Sequence, residues 1–207
     1  MKKAIIFVCI ILGSAWLCGC ATVGTNFRSE NVKDIFLGTT TTSGVIQMFG
    51  EPQDKILKSL GAFESTIYKY VYAEGTPSKG VARALLVEFV RDTVNGYIFS
   101  SAFEEDITDF DGKVRNSIEN NKTTKEEILS LLRQPSGKVL FNTNLIFYKF
   151  GNEANSKMHE GIAEVWTYHY SYALKKNDLF VHPGRTLLIY FDTTERAVDK
   201  FYTETLE

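Results

Sequence analysis

The hydrophobic and polar positions of this chain repeat. "TTTSGVIQMFGEP", ending at Pro52, aligns without a gap on "TTKEEILSLLRQP", ending at Pro135, at an offset of 83 positions. Thr40 and Thr41 fall on Thr123 and Thr124, and Val45, Met48 and Phe49 fall on Ile128, Leu131 and Leu132. Apolar residues at i, i+3 and i+4 predict a short amphipathic helix in each segment, with one buried face in the same register. The threonines read as N-caps, Thr124 and Glu127 have the capping-box spacing, and the prolines end the helices. Upstream, Val32, Ile35 and Phe36 form another such set before Gly38. Ile35 and Gly38 correspond to Ile118 and Asn121, and Gly and Asn are the residues that most readily follow a helix in the left-handed conformation.

After the helices the period drops to two. "IYKYVY" (67–72) corresponds to "VWTYHY" (165–170), and "ALLVEFV" (84–90) to "TLLIYFD" (186–192), so that Leu85, Val87 and Phe89 match Leu187, Ile189 and Phe191. Alternate residues on one sheet face are the mark of a strand. A further strand is expected near 96–103 and near 197–203. The wider offset in the second half places an insertion at the strand-like "LIFYKF" and the polar loop "GNEANSKMHEG" after it. The fold class expected is α+β: two tandem units, residues 31–110 and 111–207, each of two short helices followed by an antiparallel sheet of three to four strands.

The amino terminus follows another pattern. "MKK" precedes an apolar run from Ala4 to Leu17, too short for a comfortable membrane span and suited to a secretory h-region. All three cysteines, Cys9, Cys18 and Cys20, lie in the first twenty positions. Leu17-Cys18-Gly19-Cys20 resembles a bacterial lipobox. The resemblance implies cleavage after Gly19, with residues 1–19 as signal peptide, and acylation of Cys20. Alanine at position 21 then implies sorting to the outer membrane. Residues 20–30 read as a lipidated tether. Loss of Lys2 and Lys3 leaves 21 basic against 25 acidic side chains, a balance that argues against nucleic acid as a partner.

Taken together, the lipobox at Cys20, the helix ending in "FGEP" at Phe49–Pro52, the "VWTYHY" strand and the apolar strand at 84–90 resemble the SmpA/OmlA (BamE-like) outer-membrane lipoproteins. Two such units in one chain also resemble the tandem fold of the β-lactamase inhibitory protein. The second unit departs from the pattern, with Arg133-Gln134-Pro135 where the first has Gly50-Glu51-Pro52.

Candidate chemistry is sparse. His169, mid-strand among aromatics, and His182, before Pro183-Gly184, have no obvious carboxylate or nucleophile partner, and His159, His169 and His182 read as structural or surface residues. The run "EEDITDFDGK" lacks the ligand spacing of a calcium loop and reads as a solvated linker between units. No metal site, cofactor or enzymatic activity is expected. The aromatic strands are the candidate partner site: Tyr68, Tyr70 and Tyr72 on one face, with Trp166, Tyr168 and Tyr170 in the second half. Trp and Tyr are common interface anchors. Two readings stay open for them, core packing against the helices or an exposed platform. The function expected is that of a periplasm-facing outer-membrane lipoprotein, a protein-binding or scaffolding module in envelope assembly or maintenance. The alternative is an inhibitor of a periplasmic or secreted hydrolase.

Overall fold

The strands of the two halves join into a single sheet. The computed structural model describes residues 21–60, 63–75, 80–106, 109–172, 174–176, 179–181 and 183–205. The expected signal segment, the lipidation position Cys20 and His182 lie outside the described residues. Nine strands form one antiparallel sheet: β1 (Ala21–Gly24), β2 (Asp54–Leu60), β3 (Phe63–Gly75), β4 (Gly80–Val90), β5 (Thr93–Ser101), β6 (Gly137–Leu140), β7 (Ile162–Ser171), β10 (Gly184–Asp192) and β11 (Ala197–Thr205). β8 (Leu174–Lys176) and β9 (Leu179–Val181) form a separate hairpin.

This corrects the expectation of two units, each with its own sheet. The short strand β6 pairs with β5 on one side and with β7 on the other, and so joins the halves. The physical reason is edge pairing: β5 and β7 would otherwise each expose a row of backbone donors and acceptors. The first predicted helix of each half is also a shorter element, a 3-10 segment at Ser29–Asp34 and another at Gly112–Ser117. With three residues per turn, positions i and i+3 eclipse. Val32 and Ile35 are therefore buried while Phe36 is 64% exposed.

The second helices, α1 (Thr42–Phe49) and α2 (Lys125–Leu132), bury Val45 and Phe49, and Ile128 and Leu132. Thr41 caps α1 by accepting from the Gly44 amide, and Thr124 and Glu127 form the reciprocal capping box. The sequence repeat reappears as paired hydrogen bonds inside the one sheet. The Gly38 amide donates to the Val94 carbonyl at 2.8 Å, as the Asn121 amide does to Ala197 at 2.7 Å. The Val94 amide donates to Thr40 and the Ala197 amide to Thr123, both at 2.9 Å. Gly38 and Asn121 both take positive φ, 70° and 63°.

On the front face of the sheet α1 and α2 cover two separate apolar clusters, one around Val45, Phe49, Tyr70, Leu85 and Phe89, the other around Ile128, Leu132, Trp166, Leu187 and Phe191. The back face is covered near its middle by α3 (Leu145–Asn155), a helical segment broken at Gly151. The expected strand "LIFYKF" and the start of the polar loop are this helix. Leu145, Ile146 and Ala154 pack on Ile67, Leu86, Ile98, Val139, Leu188 and Tyr190. Glu88 of β4, wholly buried, accepts from the Asn144 amide at 2.8 Å, from Ser65 Oγ at 2.6 Å, from Asn95 Nδ2 at 3.2 Å and from Thr143 Oγ1. At the other end of α3 the Tyr190 hydroxyl donates to the Ala154 carbonyl at 2.8 Å.

The expected tether is likewise part of the fold. β1 pairs with β3, and Phe27 is buried in the first front cluster.

Candidate functional site

Because the two front clusters do not merge, a cleft of about 800 Å³ lies between them. Its floor is Tyr97 and Phe99 of β5; Lys33 and Phe36 stand on one side, Pro135 and Lys138 on the other. The local pairing opens it. β6 matches β5 only from Gly96 to Ile98, then the Phe99 amide bonds to the Ser136 carbonyl at 3.0 Å and the chain turns away at Pro135. Tyr97 is 4% exposed, and its hydroxyl has no hydrogen-bond partner among the described residues. Burial, with a smaller contribution from the Glu164 carboxylate, pushes the phenol up to about 12. It therefore remains a donor at neutral pH.

One end of the cleft is held by a buried ion-pair network. Arg83 Nε lies 3.3 Å from Asp106 Oδ2, both side chains being nearly inaccessible, and Arg83 Nη2 lies 2.6 Å from Glu105. Ser29 and Ser101 donate to Asp106 at 2.5 and 2.7 Å, and Arg83 Nη1 donates to the Phe27 carbonyl at 3.2 Å. The acidic run read as a solvated linker thus contributes Asp106 to the interior, where it ties the amino-terminal segment to β4 and β5.

The aromatic residues singled out in the sequence lie elsewhere. Tyr68, Tyr70, Trp166 and Tyr168 are buried beneath the helices rather than laid out as a platform. Tyr68 meets Phe89 edge-on at 4.8 Å, and Trp166 lies 4.9 Å from Phe191. Tyr70 and Tyr168 donate to the carbonyls of Gly50 and Arg133. Tyr72 and Tyr170 are half-buried; Tyr72 stacks on Phe103 at 5.7 Å, and Arg185 lies over Tyr170. Of the cleft residues, Tyr97, Phe99 and Lys138 were not singled out, and Phe36 reads from the sequence only as part of a buried helix face, whereas it is exposed. For Tyr97 and Phe99 the sequence signal is their alternation along β5.

Of the histidines, His159 Nδ1 lies 2.9 Å from the Glu160 carbonyl and His169 Nδ1 lies 2.9 Å from Thr186 Oγ1. Burial, and secondarily the Lys149 ammonium, lowers the pKa of His169 to about 4. Among the described residues, no group of three or more His, Cys, Asp or Glu side chains is placed to hold a metal ion. No helix among them is long and apolar enough to cross a membrane.

No family model and no curated protein matches this chain. A solved structure that matches is that of a Streptococcus mutans protein described as a "putative beta-lactamase inhibitor protein". It is 10% identical, the match covers 86% of this chain and 95% of that one, and the TM-score is 0.48.

Proposed function

We propose that this chain is a non-catalytic, lipid-anchored protein of the bacterial outer membrane that holds a protein partner in the cleft between its two helical covers. The observation that supports the reading is the Tyr97 phenol. Its ring is buried at the floor of a cleft whose rim carries the exposed Phe36 ring, and its hydroxyl, open to the cleft, has no hydrogen-bond partner among the described residues. A hydroxyl open to a cleft can exchange water for a bound acceptor, a bond worth about 0.5–1.5 kcal/mol net. A large exposed aromatic beside it supplies the apolar anchor that interfaces use. Anchoring rests on the lipobox at Cys20 and periplasmic exposure on the secretory signal.

The test places a photo-crosslinking residue at Phe36 and compares recovery with that from Tyr97→Phe and Cys20→Ala backgrounds. An envelope membrane protein crosslinked at Phe36, weakened by Tyr97→Phe and lost when Cys20→Ala mislocalises the chain, supports the scaffold. A soluble hydrolase crosslinked at the same position, and losing activity when bound, supports the inhibitor alternative. Crosslinks that form only from positions away from the cleft overturn the site.

A further inference from the structure

We propose that the lipidated chain lies with one corner of its sheet, the start of β1 and the end of β3, held against the bilayer. The inference rests on the lipid-anchor reading of Cys20. Its structural basis is the register of β1: Ala21 is opposite Gly75, Thr22 opposite Glu74, Val23 opposite Ala73 and Gly24 opposite Tyr72. Cys20 is the residue before this pairing begins, with a Cα about 3.8 Å from that of Ala21. No free chain therefore separates the acyl anchor from the folded body.

β1 is closely seated. A Cβ added at Gly24 would lie 2.0 Å from the Val71 carbonyl oxygen, and Gly24 has φ of 79°. Behind it, Phe27 is buried and Ser29 donates to Asp106. The polar zone on each side of a bilayer is about 5–7 Å thick, and a strand rises about 3.4 Å per residue, so Ala21 and Thr22 fall within it and Val23, about 10 Å from Cys20, just past its border. Val23 is apolar and 64% exposed at this corner, a placement that suits the boundary between headgroups and water. β3 is brought to the same level only by its pairing with β1. The far end of the sheet, the turn at Arg91–Asp92, is separated from Gly80 by the eleven residues of β4, about 33 Å at roughly 3.3 Å per residue.

The mature chain has no cysteine other than Cys20, so single thiols can be introduced and labelled. A fluorophore is attached at Glu74→Cys or at Asp92→Cys, both exposed positions. The lipidated protein is reconstituted into phosphatidylethanolamine–phosphatidylglycerol vesicles containing a headgroup nitroxide quencher, and acylation is read from the mass of the amino-terminal peptide. The expected result is loss of fluorescence at position 74 and none at 92. Gly24→Val, which unseats β1 from β3, should abolish quenching at 74 while the protein stays acylated and vesicle-bound. Equal quenching at both positions, or quenching at 74 that survives both Gly24→Val and a flexible linker inserted after Cys20, overturns the orientation and leaves the anchor reading intact. An unacylated Cys20 overturns the anchor reading and the orientation with it.

Discussion

The hydroxyl of Tyr168 donates to the carbonyl oxygen of Arg133 at 3.2 Å, across the join between the end of α2 and the middle of β7. Tyr70 makes the same bond to Gly50 at 3.2 Å at the end of α1. The helix-end contact is thus kept in the second half although Gly-x-Pro has become Arg-Gln-Pro. A backbone carbonyl accepts whatever side chain its residue carries.

Tyr168→Phe removes this bond and keeps the ring. It should lower stability by about 1 kcal/mol, the usual net worth of one hydrogen bond. Tyr168→Ala should cost about 3–5 kcal/mol because it opens a cavity under α2. Urea denaturation of the two variants distinguishes the ring from its hydroxyl; equal losses would show that the bond and not the packing dominates.

Arg133 holds the bond in a backbone conformation of φ 62° and ψ −154°, close to that of Gly50 at 80° and −168°. That region suits glycine and strains a residue with a Cβ by about 1–3 kcal/mol. Arg133→Gly should therefore stabilise the chain by roughly 1 kcal/mol, after the greater flexibility of glycine in the unfolded state is subtracted. Gly50→Ala should do the reverse. Its new Cβ meets nothing within 4 Å, so the cost is conformational rather than steric. Thermal melts of both variants check the signs.

Glu88 holds the start of α3 by accepting four hydrogen bonds on its two oxygens. In Glu88→Gln an amide group replaces one acceptor and faces donors, so the variant should lose on the order of 1.5–3 kcal/mol. The loss should be local first. Hydrogen exchange is expected to quicken across 145–155 before it does in β10.

His169 sets a pH dependence. Its folded pKa is lowered from 6.5 to about 4, by burial first and Lys149 second. Between these values the unfolded chain binds the extra proton, so this contribution to stability is present above the higher value and is lost as pH falls toward the lower one. His169→Gln should flatten stability in that window. Measured as the wild-type minus variant difference, the change from ~pH 7 to ~pH 5 should be on the order of 2 kcal/mol. An unchanged slope would show that the ring is solvated in the native state.

The helices and strands that the chain encodes locally were legible in its sequence. α1 and α2 follow from apolar spacing with Thr41, Thr124 and Glu127 as caps, and β4 and β10 from the alternation of Leu85, Val87 and Phe89 and of Leu187, Ile189 and Phe191. Periods of 3.6 and 2 are properties of neighbouring residues, so a single chain displays them. The repeat was legible for the same reason, down to Gly38 and Asn121 at matching turns.

The joining of the halves was decided by tertiary structure. β6 is only four residues long, and its place between β5 and β7 depends on what each of those strands would otherwise leave unpaired. "LIFYKF" reads as strand by its pattern. It becomes α3 because Glu88, far away in sequence, accepts from the Asn144 amide and from Thr143 Oγ1 at the helix start, and because the sheet's back face takes Leu145, Ile146 and Ala154. The cleft is likewise a product of the assembled sheet, left where two apolar clusters fail to meet. Tyr97 resembles the other aromatics in the sequence, and only the fold separates this unpaired phenol from Tyr70 and Tyr168, whose hydroxyls reach helix-end carbonyls. Local periodicity fixes which face of an element is apolar; which partner covers that face is set by contacts between residues far apart in the chain, and those depend on the fold as a whole.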